Sequence, residues 1–194
     1  GKLGLPTRAV VSYQEVLTLS PGHLPALRAL SRLHRAQASW ESLIDVLRAE
    51  AAVHTDPAER AHALFAVASL WEERLGRPEL AADAYQDVLR LVPGHGAALR
   101  ALERLYVKGS QWKDLVAVHE RQVQTAPDAA ARVTAYSKLA HLYADRLSEP
   151  TLAAQCFEAV LVADPANLAA LKGLERLRSA DRLIRADIRS RLAA

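Results

Sequence analysis

The feature that most limits what this chain can fold into is a long internal duplication. The segments Tyr13-Gln-Glu-Val-Leu-Thr-Leu-Ser-Pro-Gly-His23, Tyr85-Gln-Asp-Val-Leu-Arg-Leu-Val-Pro-Gly-His95 and Phe157-Glu-Ala-Val-Leu-Val-Ala-Asp-Pro-Ala-Asn167 follow one another at intervals of 72 residues. The match runs through the interval without gaps. Leu27, Leu30, Leu33, Trp40, Leu43, Leu70, Arg74, Leu75, Pro78 and Leu80 recur as Leu99, Leu102, Leu105, Trp112, Leu115, Leu142, Arg146, Leu147, Pro150 and Leu152. Roughly 28 of about 72 paired positions are identical, more than shared composition would give. The internal repeats run 9–80, 81–152 and 153–194 within one array covering 1–194.

Within each period the apolar spacing is helical. Leu99, Leu102, Leu105 and Tyr106 fall on one stripe, as do Leu64, Val67, Leu70 and Trp71. Ala, Leu and Arg outweigh the β-branched and aromatic types that strands favour, which also selects helix. Proline breaks at Ser20-Pro-Gly, Val92-Pro-Gly, Ala126-Pro and Asp164-Pro divide the stripes. Asp56 and Asn167 stand where an N-cap acceptor is wanted. This reading predicts about eleven helices, near 6–19, 24–36, 39–53, 57–75, 78–91, 96–108, 111–125, 129–147, 150–163, 168–178 and 180–192, the last within a terminal helix over 180–194. Their short connections make neighbours antiparallel hairpins, and hairpins bury their apolar faces by stacking. The expected class is all-α, an α-solenoid (superhelix) of helical hairpins.

Leu64-x2-Val67-Ala68-x2-Trp71 and Tyr136-x2-Leu139-Ala140-x2-Tyr143 resemble the first-helix pattern of the tetratricopeptide repeat, W-x2-L-G-x2-Y, and Leu99-x2-Leu102-Glu103-x2-Tyr106 follows it less closely. The second-helix pattern, A-x3-F and a closing Pro, is met by Ala9 and Tyr13 with Pro21, Ala81 and Tyr85 with Pro93, and Ala153 and Phe157 with Pro165. Ser31, Glu103 and Glu175 depart from Gly, and Leu43 and Leu115 stand where Ala is expected. The helices carrying Trp40 and Trp112 therefore fit less well, and the period reads as a repeat of about 34 residues joined to one of about 38. The opening, Leu3-Gly4-Leu5-Pro6, aligns with Leu75-Gly76-Arg77-Pro78, midway through a hairpin. The expectation is a fragment of a longer array, and the excess of Arg over Lys points to a GC-rich bacterial source.

The sequence carries no phosphate loop, no H-E-x-x-H and no nucleophile elbow, and the expectation is a non-enzyme without cofactor or metal. Gly94-His95-Gly96 recurs as Gly22-His23-Leu24, so His23 and His95 read as turn residues with local hydrogen bonds. Cys156, beside Phe157 on a core stripe, reads as an inert thiol that leaves the compartment open. Trp40, Trp71 and Trp112 read as packing residues. No apolar run is long enough to cross a bilayer.

The resemblance implies that first helices line an inner groove. On them stand Arg28, Arg32 and Arg35; Arg100, Arg104 and Lys108; and Lys172 and Arg176. Spacing of four places Arg28 with Arg32, and Arg100 with Arg104, on one helical face. Such like-charge pairs call for compensation, either from Glu72, Glu73 and Asp145 on neighbouring helices or from an acidic partner segment. The function expected is a protein-interaction scaffold, with self-association through uncapped ends as a further expectation. The competing readings are RNA binding along the same basic residues and a passive spacer in a larger assembly. Net charge is only +3, without a basic block, which counts against nucleic acid.

Overall fold

The computed structural model describes residues 4–192; expectations for 1–3 and 193–194 lie outside the described residues. Ten α-helices follow one another: α1 (Gly4–Leu19), α2 (Leu24–Ala36), α3 (Trp40–Val53), α4 (Pro57–Glu73), α5 (Pro78–Leu91), α6 (Gly96–Lys108), α7 (Trp112–Gln124), α8 (Ala129–Leu142), α9 (Pro150–Ala163) and α10 (Leu168–Leu192). A π-helical turn, Tyr143–Leu147, follows α8, and the described residues contain no strand. The fold is all-α, of stacked helical hairpins as in an α-solenoid. Two differences from the sequence reading stand out. The helix expected over 129–147 ends in π geometry, and the two expected over 168–178 and 180–192 are one continuous α10. Ser179 and Ala180 interrupt the apolar pattern but contain neither Pro nor Gly, so nothing in the backbone stops the helix there.

The helix starts follow from local chemistry. His23 Nδ1 accepts the Ala26 N–H at 3.2 Å, His95 Nδ1 accepts that of Ala98 at 3.2 Å, and Asn167 Oδ1 accepts that of Ala170 at 3.1 Å. These equivalent side chains satisfy N–H groups that the first helical turn leaves unpaired. The two histidines are caps, as their recurrence in turns indicated. Asp56 and Asp128 cap α4 and α8 in the same way, at 3.1 and 2.7 Å.

The chain divides into two compact units, Gly1–Leu105 and Tyr106–Ala194. In the first, α1 packs on α2, α2 on α3, α3 on α4 and α4 on α5. Its core contains Leu27, Leu30, Leu43, Ile44, Val67, Tyr85, Val88 and Leu102, all buried. The second packs α7 on α8, α8 on α9 and α9 on α10, with Ala140, Phe157, Val160, Ala170 and Leu174 in one cluster. Tyr85 and Phe157 occupy corresponding buried seats at 2% and 1% exposure, whereas Tyr13 is 37% exposed. Tyr85 lies against α4, meeting Phe65 at 5.3 Å between ring centres, and Phe157 shares a cluster with Ala140 of α8, against which Val133 and Tyr136 of α8 also pack. The described residues contain no helix before α1 to cover Tyr13 in the same way.

The recurring tryptophans are clamped by recurring arginines. The Arg74 guanidinium stands 5.1 Å from the Trp40 ring centre, and Arg146 stands 4.9 Å from that of Trp112. Each contact ties the start of a second helix to the end of the next first helix within its unit.

Candidate interaction surface

All eight basic residues singled out from the sequence are exposed on α2, α6 and α10. Three of them are held in ion pairs. Arg28 Nε donates to Glu50 Oε1 at 3.2 Å. Arg104 binds Glu72 as a fork, with Nη2 2.7 and 2.9 Å from the two carboxylate oxygens and Nε 3.2 Å from Oε1. Arg176 Nη2 donates to Asp145 Oδ1 at 2.8 Å. Arg104 and Arg176 are equivalent positions, each met by an acid from the end of the preceding first helix. Glu72 and Asp145 thus supply the local compensation that the like-charge spacing required.

The other five, Arg32, Arg35, Arg100, Lys108 and Lys172, make no ion pair among the described residues. Arg32 and Arg35 have a setting of their own. With Arg28 they border a cavity of about 520 Å³ walled by α2, α3 and α4, within the first unit. Its opposite wall carries Glu59 and His62 of α4, and Glu50 and His54 complete the polar lining. The His54 side chain is 7% exposed, with Nδ1 2.7 Å from Glu59 Oε2 and Nε2 3.7 Å from Glu50 Oε1. Ser31, 8% exposed, also lines the cavity, and its hydroxyl has no hydrogen-bond partner. Sequence reasoning found the three arginines but not the cavity. The available signal was that Ser31, Arg35, His54 and His62 are replaced by Glu103, Val107, Ala126 and Thr134 in the next copy of the duplication.

Behind the first-helix face, Glu72 reaches into the core. Its Oε2 accepts the Tyr85 hydroxyl at 3.0 Å, and Ser69 Oγ lies 3.4 Å from the same hydroxyl. Burial first, with the Glu72 carboxylate adding to it, pushes the Tyr85 hydroxyl up to about 12. Arg104, Glu72 and Tyr85 therefore form a relay from surface to core.

In the second unit a cavity of about 480 Å³ is lined by Tyr136, Leu139, Tyr143, Leu152 and Cys156, among others. Burial, and then the charge of Glu120, push the Cys156 thiol up from its ordinary range, which disfavours the reactive thiolate. Among the described residues no group of three His, Cys, Asp or Glu could hold a metal ion, and no helix is long and apolar enough to cross a membrane.

The family model of the tetratricopeptide repeat matches residues 98–132, which span most of α6, all of α7 and the start of α8. The match falls on a hairpin whose sequence departs from the motif, with Glu103 for Gly and Leu115 for Ala. A search of curated proteins finds no match. Among solved structures, MamA is similar at 18% identity over 84% of this chain and 91% of that one, with a TM-score of 0.46. YrrB, described as a tetratricopeptide-repeat protein with an unusual peptide-binding site, is similar at 13% identity over 90% and 86%, with a TM-score of 0.45. The segment 26–60 is the copy of 98–132 one period earlier, and both lie in the same succession of capped hairpins. Residues 98–132 thus match the tetratricopeptide-repeat model, and the duplication carries the same pattern one period earlier.

Proposed function

We propose that this chain is a protein-interaction scaffold whose first-helix faces take an acidic partner segment. The observation that carries this reading is that compensation of the basic residues on the first helices is incomplete. Arg28, Arg104 and Arg176 have acidic partners, while Arg32, Arg35, Arg100, Lys108 and Lys172 are exposed without one among the described residues. Exposed cations of this kind attract an acidic chain over a Debye length and speed its encounter. Arginine adds a fork that fits carboxylates two oxygens at a time. The tetratricopeptide repeat matched at residues 98–132 supports the general role.

The test is titration of a fluorescent glutamate-rich peptide into the wild-type chain and into the triple variant R28E/R100E/K172E. Binding should be lost in the variant while its helical circular dichroism is kept. Equal binding by both proteins would remove these basic residues from consideration. A parallel titration with single-stranded RNA over several salt concentrations tests the rival reading. RNA binding stronger than peptide binding, with a steep salt slope, would favour nucleic acid.

A further inference from the structure

The cavity between α2, α3 and α4 carries a more specific inference, which rests on the interaction reading above. The hairpin core beneath it is common to both full copies of the duplication: Leu27 and Leu30 recur as Leu99 and Leu102, and of the apolar lining Ala58 and Ala63 recur as Ala130 and Ala135, whereas Leu47 and Ala66 become His119 and Lys138. Six of its eight polar lining residues do not recur, while Arg28 and Arg32 return as Arg100 and Arg104. Ser31, Arg35, Glu50, His54, Glu59 and His62 correspond to Glu103, Val107, Gln122, Ala126, Ala131 and Thr134. The second copy makes its hairpins without these polar residues, so the fold does not require them.

Two contacts tie lining residues to one another. Arg28 is paired with Glu50 at 3.2 Å, and Glu59 meets His54 at 2.7 Å. Arg32 and Arg35 remain, exposed at the cavity edge with no ion pair among the described residues. Ser31 lies between them and Arg28 on the same helix. The equivalent positions hold Glu103 and Glu175, so serine both clears space and removes a negative charge. Its hydroxyl is buried without a partner, a state that costs free energy.

We propose that this cavity binds a phosphate monoester dianion, carried on a phosphorylated side chain of the partner segment. Two guanidinium forks match its charge of about −2 and donate to its oxygens, and the Ser31 hydroxyl donates to a further one. A single carboxylate would leave one guanidinium unmatched. Two carboxylates would have to crowd their like charges into one site. The volume of about 520 Å³ lies within the range of ligand pockets, roughly 300–1,000 Å³.

The test uses blocked peptides Ala-Ala-X-Ala-Ala in which X is phosphoserine, glutamate or serine, together with inorganic phosphate and an oligouridylate. Binding is read by calorimetry and by the Nε–H NMR signals of the arginines. The phosphoserine peptide should bind about tenfold or more tighter than the glutamate peptide, shift Arg32 and Arg35, and be displaced by inorganic phosphate. S31E and R35V install the residues of the second copy, and each should reduce phosphopeptide affinity about tenfold. R35V changes an exposed side chain, so it stands as the test if S31E perturbs folding. Equal affinity for the glutamate peptide, preference for the oligouridylate, or an unaffected R35V would overturn the inference. Loss of phosphate preference with glutamate-peptide binding intact overturns this inference alone. Loss of all peptide binding removes the interaction reading as well.

Discussion

The relay from Arg104 through Glu72 to Tyr85 allows the surface and core contributions of one carboxylate to be separated. Glu72 is 16% exposed at its side chain, Arg104 is 60% exposed, and Tyr85 is 2% exposed overall. Replacing Glu72 with Ala strands the buried hydroxyl, whose remaining neighbour is Ser69 Oγ at 3.4 Å. An orphaned buried donor costs about 1–3 kcal/mol. The solvent-screened pair with Arg104 adds at most about 1 kcal/mol. The total expected for Glu72→Ala is about 1–4 kcal/mol. Arg104→Ala leaves Glu72 still accepting from Tyr85 and should cost about 1 kcal/mol or less. Tyr85→Phe keeps the ring against Phe65 and leaves Glu72 paired with Arg104, so about 1 kcal/mol is expected. Phe157 already occupies the equivalent seat in the second unit.

Urea denaturation followed by far-ultraviolet circular dichroism measures all three variants. The same relay predicts a pH response. The Tyr85 hydroxyl ionises near 10 when unfolded and at about 12 when folded, so between those values the unfolded chain has released a proton that the folded chain retains. Stability is therefore whole below about pH 10 and falls by about 2–3 kcal/mol as pH rises toward 12. Tyr85→Phe should remove that part of the slope. If Arg104→Ala proves as costly as Glu72→Ala, or if Tyr85→Phe leaves the alkaline slope unchanged, the buried hydroxyl is not what Glu72 serves.

Three other predictions concern the repeated packing. At Gly173 an added Cβ would collide with Cζ of the buried Phe157 ring; Gly173→Ala should therefore destabilise by about 1–3 kcal/mol in thermal melts, although helix propensity alone favours Ala. Ser148 has φ +57° where the equivalent Gly76 has +61°; Ser148→Gly should raise the urea midpoint, relief of left-handed strain outweighing glycine's entropy by up to about 1 kcal/mol. Arg74→Ala and Arg146→Ala each remove a guanidinium from a tryptophan face and should cost about 0.5–1 kcal/mol, with a shift in tryptophan emission. No emission change in either variant would count against the clamp.

Much of the fold was legible because its determinants are short in range. The duplication located the hairpins, the Pro-Gly turns located their ends, and recurrence of His23 as His95 marked them as turn residues before their capping bonds were seen. Trp40 with Arg74, and Trp112 with Arg146, also recur in register, but only contact distances turn those pairs into clamps. The π-helical turn at Tyr143–Leu147 had no local signature. The continuity of α10 opposed the expected break because a polar stretch without Pro or Gly does not interrupt the backbone hydrogen-bond ladder.

By itself the sequence determined the helical class, the stacking unit and the list of basic residues on first helices. Apolar periodicity and capping act within a turn or two and need no knowledge of distant neighbours. Tertiary structure decided which of those cations are already committed and which face open space. Arg32 and Arg104 are the same residue type one period apart, yet Arg104 grips Glu72 while Arg32 borders a cavity. Whether a charge is matched depends on a few ångströms between groups on different helices, and spacing along one helix does not carry that distance.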